Sequence, residues 1–118
     1  MKTLIQGKYG EDLACTYLKK LGYKIIERNF RIRGGEIDII AIDSKILVYV
    51  EVKTRSSYRF GRPEEAVTPW KIKFLERAAK FYRNNRKNLP PQERIDVVTV
   101  DLVDRINPKL KIFKNAGF

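Results

Sequence analysis

Two acidic residues and one lysine form the most informative chemical pattern in the sequence. Asp38 lies in the segment GEIDIIA, and Glu51 and Lys53 lie two positions apart in the segment VEVKTR. Carboxylates are preferred ligands of hard divalent cations, and Mg²⁺ keeps several waters when one or two carboxylates bind it. An ammonium group beside such a cation would stabilise the negative charge of a phosphate under attack. The pattern therefore indicates phosphoryl-transfer chemistry.

A β-hairpin is the element that would bring these side chains together. Two β-branched runs, residues 36–43 and 46–53, flank a short polar turn at residues 44–45. If the turn is centred between its two residues, Asp38 faces Glu51 across the hairpin. The predicted charged face then comprises Glu36, Asp38, Glu51 and Lys53. The predicted apolar face comprises Ile37, Ile39, Ala41, Val48, Val50 and Val52.

Two alternatives to a functional cluster stay open. Facing carboxylates repel each other unless a cation or a proton neutralises them. In the first alternative, Lys53 simply forms an ion pair with Glu36, and Asp38 or Glu51 lies at a solvated strand end. In the second, a three-residue turn or a β-bulge shifts the register and separates the two carboxylates.

The order of elements predicts an α/β fold with a mixed sheet. A helix over residues 7–21 precedes three strands, and Thr68-Pro69 caps a second helix that reaches residue 84. A hairpin followed by a helix and another strand gives a parallel pair with a helical crossover. The predicted order is α-β-β-β-α-β-β, with strands at residues 23–32, 36–43, 46–53, 94–103 and 110–113.

Composition limits the classes of protein and of site. The 118 residues suit one domain, 1–118, and contain Lys+Arg 25 against Asp+Glu 14, a net charge of +11. This excess predicts a polyanionic partner such as nucleic acid. The absence of His and the single Cys exclude a histidine base, a zinc finger and an internal disulfide. Without a signal peptide or a long apolar run, we expect a cytoplasmic protein with no membrane partner.

Taken together, the motifs resemble the YraN family, which belongs to the restriction-endonuclease-like proteins with a PD-(D/E)xK signature and is related to archaeal Holliday junction resolvases. The similarity rests on Gly7-x-x-Gly10-Glu11, the segments around Asp38 and Glu51-x-Lys53, and Arg94-Ile95-Asp96. It covers nearly the whole chain and implies a restriction-endonuclease-like αβββαβ core. Ile37 departs from the proline that the broader signature often has before the aspartate.

This resemblance also implies roles for individual residues. Asp38, Glu51 and the backbone carbonyl of Val52 would ligate Mg²⁺ or Mn²⁺, and Lys53 would be the catalytic lysine. Glu11 would be a further catalytic acid.

Helical spacing agrees with a buried position for Glu11. Glu11 shares a helix face with Ala14 and Leu18, and the glycines Gly7 and Gly10 on the neighbouring stripe would let the helix approach the sheet. Alternatively, Glu11 is an acid in the first turn that only interacts with the helix dipole.

The middle of the chain carries most of the positive charge. Residues 54–94 contain eleven basic and four acidic residues, a net +7. The loop at residues 54–62 follows Lys53 and should rim the site, where Tyr58 or Phe60 could stack on an unpaired base. On the second helix, Lys73, Arg77 and Lys80 form a basic ridge, although a solvated helix face would show the same spacing. The predicted nucleic-acid-binding residues are Arg55, Tyr58, Arg59, Arg62, Lys71, Lys73 and Arg77.

Other residues are interpreted as structural. Cys15 is a buried thiol without a basic partner. Asp96, in an otherwise apolar strand, either reaches the site from a neighbouring strand or pairs with Arg94, and the structural role is favoured. The second helix contributes aromatic residues to the core, and these are Trp70, Phe74, Phe81 and Tyr82.

The sequence thus favours a metal-dependent endonuclease that hydrolyses phosphodiester bonds of DNA, including branched or junction DNA. Two other classes stay open: a nucleic-acid-binding module without catalysis, and an interaction protein whose basic surface binds an acidic partner. One small domain has one site, so symmetric cutting of two strands would require a homodimer.

Overall fold

Residues 4–57 and 68–116 are described by the computed structural model, in which two helices cover opposite faces of one sheet. The elements are α1 (Leu4–Lys20), β1 (Lys24–Ile32), β2 (Gly35–Asp43), β3 (Ile46–Arg55), α2 (Pro69–Asn84), β4 (Gln92–Asp101) and β5 (Lys109–Phe113). This order confirms the predicted α-β-β-β-α-β-β pattern, and the predicted bounds differ from these by at most three residues.

The sheet is mixed, as predicted. Its strands lie in the order β1-β2-β3-β4-β5. The β3–β4 pair is parallel and is connected through α2, whereas the other three pairs are antiparallel. A parallel pair needs such a crossover because a short turn cannot return the chain to the same end of the sheet.

The β2–β3 hairpin has the predicted register. Its ladder runs from the pair Ile39–Val50 to the pair Asp43–Ile46. Ser44 adopts a φ of 57° in the connecting turn. The alternatives of a three-residue turn or a shifted register are therefore wrong from Ile39 to Asp43. The ladder ends at Ile39–Val50, so the predicted pairs Asp38–Glu51 and Glu36–Lys53 are not part of it.

The N-terminus of α2 is capped as the Thr68-Pro69 pair predicts. Thr68 has an extended backbone, and its hydroxyl accepts a hydrogen bond from the backbone N–H of Lys71 at 3.2 Å. Proline fits the first helical position because its missing N–H would have had no partner there. The cap fixes where the helix starts and therefore which side chains its first turn presents.

Two apolar cores lie on the two faces of the sheet. The core under α1 includes Ala14, Cys15, Leu18, Ile39, Ala41, Val48, Val50, Val52, Val98 and Val100. The core under α2 includes Ile37, Ile40, Leu47, Tyr49, Leu75, Ala78, Ala79, Tyr82 and Ile95. Sheet residues alternate between the two cores along β3, as expected for a strand buried on both faces.

The face predicted for Ile37 is wrong. Ile37 packs in the core under α2, whereas Ile39 and Ala41 pack under α1. The reversal coincides with Asn29 of β1, which has a φ of 55° and lies between the paired residues Arg28–Ile39 and Phe30–Ile37. A left-handed residue interrupts the regular alternation of a strand, and asparagine tolerates this conformation better than most residues.

Two of the four aromatic residues predicted to lie in the core of α2 are exposed. Trp70 is 69% exposed and Phe81 is 49% exposed, whereas Tyr82 is buried. The buried stripe of α2 consists of Leu75, Ala78, Ala79 and Tyr82. Trp70, Phe74 and Phe81 lie on the neighbouring stripe, because they precede the buried positions by about one residue.

None of the helices in the described part of the chain is both long enough and apolar enough to cross a membrane.

Candidate active site

Asp38 lies where β2 departs from regular pairing with β3. Its Oδ2 accepts a hydrogen bond from the backbone N–H of Val52 at 2.8 Å. Asp38 lies one residue before Ile39 and Val52 lies two residues after Val50, and Ile39–Val50 is the last pair of the ladder. The hydrogen bond therefore holds the carboxylate of Asp38 against the C-terminal half of β3. This anchoring fixes Asp38 beside Glu51, the residue that precedes Val52.

Glu51 is buried and bridges two ammonium groups. Only 5% of the residue is exposed, and its Oε2 lies 3.1 Å from Lys53 Nζ and 3.5 Å from Lys71 Nζ. Lys53 comes from the same strand, whereas Lys71 comes from the first turn of α2. We refer to Asp38 and Glu51 as the acidic pair, and to Lys53 and Lys71 as the lysine pair.

The alternative in which Lys53 pairs with Glu36 is not what the structure shows. Glu36 forms an ion pair with Arg31, its neighbour across the β1–β2 ladder, at 3.3 Å. Lys53 instead pairs with Glu51. The structure therefore brings Asp38, Glu51, Lys53 and Lys71 together and directs Glu36 toward β1.

The acidic pair is electrostatically strained. Burial, followed by repulsion from Glu51, raises the pKa of Asp38 from 3.8 to about 8, although the hydrogen bond from Val52 opposes this shift. Burial is the largest single effect on the pKa of Lys71 and would lower it, but the opposing effects together, with the carboxylate of Glu51 first among them, raise it. Burial and this repulsion together disfavour the ionised form of Asp38, although two lysines lie at the site.

Glu11 lies near the acidic pair but is bound by an arginine. Its carboxylate accepts a hydrogen bond from Arg28 Nη2 at 3.1 Å, and the same nitrogen donates to Asp12 at 2.8 Å. The side chain of Glu11 is 14% exposed and adds to the negative potential at Asp38. The alternative of a first-turn acid is wrong because α1 begins at Leu4, about two turns earlier.

A glycine allows α1 to approach the site, as predicted for Gly10. A Cβ at this position would collide with the hydroxyl of Thr54 and would lie 3.1 Å from its Cβ. Thr54 follows Lys53 on β3. The close approach therefore places the second turn of α1, including Glu11, against the strand that carries Glu51 and Lys53.

The donor set of the acidic pair fits a Mg²⁺ or Mn²⁺ ion that keeps several waters. The two carboxylates lie in electrostatic contact, and their repulsion is the second cause, after burial, of the raised pKa of Asp38, so a divalent cation bound between them would offset it. Within residues 4–57 and 68–116, no three His, Cys, Asp or Glu side chains lie close enough together to enclose a metal ion. Mg²⁺ does not need such a cage, because it usually binds to one or two carboxylates plus water and substrate oxygens.

The predicted nucleic-acid-binding residues that the structure describes divide into three groups. Lys71 lies at the acidic pair. Lys73, Arg77 and Lys80 form an exposed basic ridge on α2, with Arg77 Nη1 donating to the carbonyl of Gly34 at 3.2 Å. Arg55 is partly buried at the end of β3. Three further predicted residues lie outside the described residues, and these are Tyr58, Arg59 and Arg62.

Asp96 is structural, as predicted, and lies away from the acidic pair. It is fully buried, and its carboxylate accepts hydrogen bonds from Arg94 Nε and from the Tyr23 hydroxyl, both at 2.8 Å. Arg94 also pairs with Asp43 at 2.6 Å. These contacts join β4 to the end of α1 and to the β2–β3 turn.

Cys15 is a buried free thiol, also as predicted. It packs in the core under α1, and burial raises its pKa above the ordinary value. Such a thiol is a poor nucleophile because the reactive species is the thiolate.

The sequence reasoning missed two residues at or near the site. Arg28 contacts Glu11 from β1, and this contact joins two distant elements, so alternation within the strand does not reveal it. Trp70 was interpreted as core. Its position directly after Pro69, in the first turn of a capped helix, was a signal for exposure because first turns often project beyond the sheet.

Comparisons with known proteins agree on one family. The family model described as "Uncharacterised protein family UPF0102" matches residues 10–100. A UPF0102 protein of Geobacter sulfurreducens is 45% identical over 112 residues, covering 95% of this chain and 88% of the relative. A UPF0102 protein of Syntrophomonas wolfei is 48% identical over 110 residues, covering 93% and 95%. A third, from Persephonella marina, is 41% identical over 116 residues, covering 98% and 96%.

Proposed function

The chain belongs to the UPF0102 family, and we propose that it is a metal-dependent endonuclease that hydrolyses phosphodiester bonds of DNA. The observation that carries the proposal is the buried acidic pair with Lys53 Nζ 3.1 Å from Glu51. The restriction-endonuclease-like signature, implied by the resemblance of the motifs, is part of the same proposal. The αβββαβ order of the elements is consistent with it.

In this proposal the acidic pair and the backbone carbonyl of Val52 hold Mg²⁺ or Mn²⁺. When bound, such an ion polarises a phosphoryl oxygen and lowers the pKa of a coordinated water. The hydrogen bond from the Val52 N–H keeps Asp38 in place whether or not it is protonated. Glu11, fixed by Arg28, adds negative potential near Asp38.

The lysine pair acts on the substrate. Lys53 Nζ is positioned by Glu51, so it can donate a hydrogen bond to a non-bridging oxygen of the scissile phosphate. Negative charge grows on that oxygen during attack, and a preplaced ammonium group stabilises it more in the transition state than in the ground state. Lys71 contacts the same oxygen of Glu51 and offers a second ammonium group to the same phosphate.

The basic ridge supports DNA as the substrate. Lys73, Arg77 and Lys80 are exposed on the helix that also carries Lys71. Contacts from Lys and Arg to phosphates position a nucleic acid without reading its sequence. Cleavage of branched or junction DNA fits such recognition, and symmetric resolution of a four-way junction would require a homodimer.

A second candidate is a nucleic-acid-binding module without catalysis. It is favoured by the two ammonium groups on Glu51, which partly satisfy this carboxylate without a metal ion. In that case the lysine pair neutralises the acidic residue, and the basic surface alone carries the function.

One experiment separates the two candidates. The wild type and Glu51→Ala are incubated with linear, flapped and four-way-junction DNAs in Mg²⁺ and in Mn²⁺, and strand scission is followed on gels. Glu76→Ala, which removes a carboxylate from α2 outside the acidic pair, is the matched control. We expect the wild type and the control to cut at least one substrate, and Glu51→Ala to be inactive. Binding to these DNAs without scission by the wild type would favour the second candidate.

A further inference from the structure

Trp70 is an exposed aromatic platform at the start of α2. It is the only tryptophan of the chain, and it is 69% exposed. Its ring stacks on Phe74, with 5.4 Å between the ring centroids and 15° between the ring planes. Because Phe74 packs against one face of the indole, solvent contacts mainly the opposite face of the ring. A large flat apolar surface is thus presented to solvent with one face packed on Phe74.

The platform lies next to the acidic pair. Lys71 follows Trp70 in the chain, and its Nζ lies 3.5 Å from Glu51 and 5.9 Å from the centroid of the Phe74 ring. Three successive contacts therefore connect the indole to Glu51: the stacking of Trp70 on Phe74, the contact of Lys71 with the Phe74 ring, and the ion pair of Lys71 with Glu51. A nucleic-acid strand with one phosphate at the acidic pair would pass the indole within a few nucleotides.

The charges around the platform identify the chemistry of its ligand. Lys71 lies on one side of it, and the exposed Lys73 follows on the same turn of α2. Aromatic rings bordered by cations are the combination that binds single-stranded nucleic acid, because bases stack on the rings and phosphates contact the cations. A base inside a duplex already stacks on both neighbours, so only an unpaired or extruded base can use the indole.

We propose that Trp70, supported by Phe74, stacks on an unpaired nucleobase of the strand that is bound at the acidic pair. This inference rests on the proposed function and narrows its substrate class to DNA with unpaired nucleotides near the cleaved phosphate, such as flaps, branch points or single strands. Lys71 joins the two parts, since it contacts both Glu51 and the Phe74 ring.

Intrinsic fluorescence tests the proposal directly, because Trp70 is the sole tryptophan. The wild type is titrated in EDTA, which prevents metal-dependent cleavage, with an oligothymidine and with a blunt duplex of equal length. Anisotropy of labelled DNA gives the affinities of the wild type, Trp70→Ala, Trp70→Phe and Phe81→Ala. Phe81 is the matched control, since it is an exposed aromatic residue of the same helix about three turns away. Thermal unfolding verifies that every variant is folded.

We expect the oligothymidine to quench the fluorescence and the blunt duplex to leave it nearly unchanged. Trp70→Ala should weaken binding of the single strand by about 10-fold or more, since stacking on an aromatic ring contributes that much per base. Its duplex affinity should change less than about two-fold, which is within the range of a neutral surface substitution. Trp70→Phe should recover most of the loss, and Phe81→Ala should match the wild type.

Any of four results would overturn the inference. Unchanged fluorescence at saturation with the single strand, or equal losses for single strand and duplex in Trp70→Ala, would reject the platform and leave the proposed function standing. If Trp70→Ala converted a dimer to a monomer and left the DNA affinity unchanged, the indole would belong to an interface between two copies of the chain and would not be a site for a nucleobase. Absence of binding to any DNA, both in EDTA and with Mg²⁺ restored, would reject the proposed function together with the inference.

Discussion

The electrostatic strain of the acidic pair should make the stability of the metal-free protein depend on pH in a defined direction. The pKa of Asp38 is about 8 in the folded protein, against an ordinary value of 3.8. Between these two pH values the folded state retains a proton that the unfolded chain has released. The stabilising contribution of this proton is therefore complete below about pH 4 and is lost as the pH rises through about 8.

Asp38→Asn isolates this contribution. Asparagine can still accept the hydrogen bond from Val52 and donate one to Glu51, but it cannot ionise. One excess proton corresponds to about 1.4 kcal/mol per pH unit in the free energy of unfolding. From about pH 5.5 to about pH 8.5, the stability of the wild type should therefore fall relative to Asp38→Asn by roughly 3 kcal/mol.

Urea unfolding in EDTA at three pH values measures this difference. Asp104→Asn is the control, because hydrogen bonds from Asn107 lower the pKa of this exposed carboxyl, which stays ionised throughout the range. The difference between the wild type and Asp104→Asn should not change with pH. A pH-independent difference between the wild type and Asp38→Asn would refute the reasoning, since it would mean that Asp38 titrates at its ordinary pKa.

Three further predictions concern packing, the buried polar network and the basic ridge. Gly10→Ala should reduce the free energy of unfolding, measured in urea, by about 1–3 kcal/mol, because the added methyl group collides with the Thr54 side chain. Adding Thr54→Ala to the same chain should recover most of this loss. Strictly additive effects of the two substitutions would contradict the collision. Asp96→Ala should cost about 3 kcal/mol or more in the same assay by leaving buried donors unpaired, and a loss below about 1 kcal/mol would contradict the structural role. Arg77→Ala and Lys80→Ala should each reduce the log–log salt slope of duplex binding by about 0.9, whereas an unchanged slope would place the DNA elsewhere.

Much of the fold follows from local patterns in the sequence. The two-residue turn at Ser44 determines the hairpin register from Ile39 to Asp43, and the Thr68 cap determines the start of α2. Both are set by residues close together in the chain, which is why alternation and capping rules predict them. The pairing of Glu51 with Lys53 lies within one strand and follows from the same alternation.

The features that were missed depend on contacts between distant elements. The reversal at Ile37 coincides with a left-handed Asn29 on the neighbouring strand, and the alternation of apolar residues predicts neither. The contact between Arg28 and Glu11 depends on the docking of α1 against β1. The exposure of Trp70 depends on how far α2 extends beyond the sheet, which hydrophobic periodicity does not encode.

The central claim is that Asp38, Glu51 and Lys53 form a hydrolytic centre, and separating binding from cleavage in Lys53→Ala tests it most directly. DNA affinity is measured by anisotropy, and single-turnover scission in Mg²⁺ is measured at saturating protein. We predict an affinity within about three-fold of the wild type and a scission rate reduced by about 100-fold or more, because Lys53 acts on charge that develops in the transition state. Weakened binding with an undiminished rate at saturation would contradict the role of Lys53 and the catalytic account built on it.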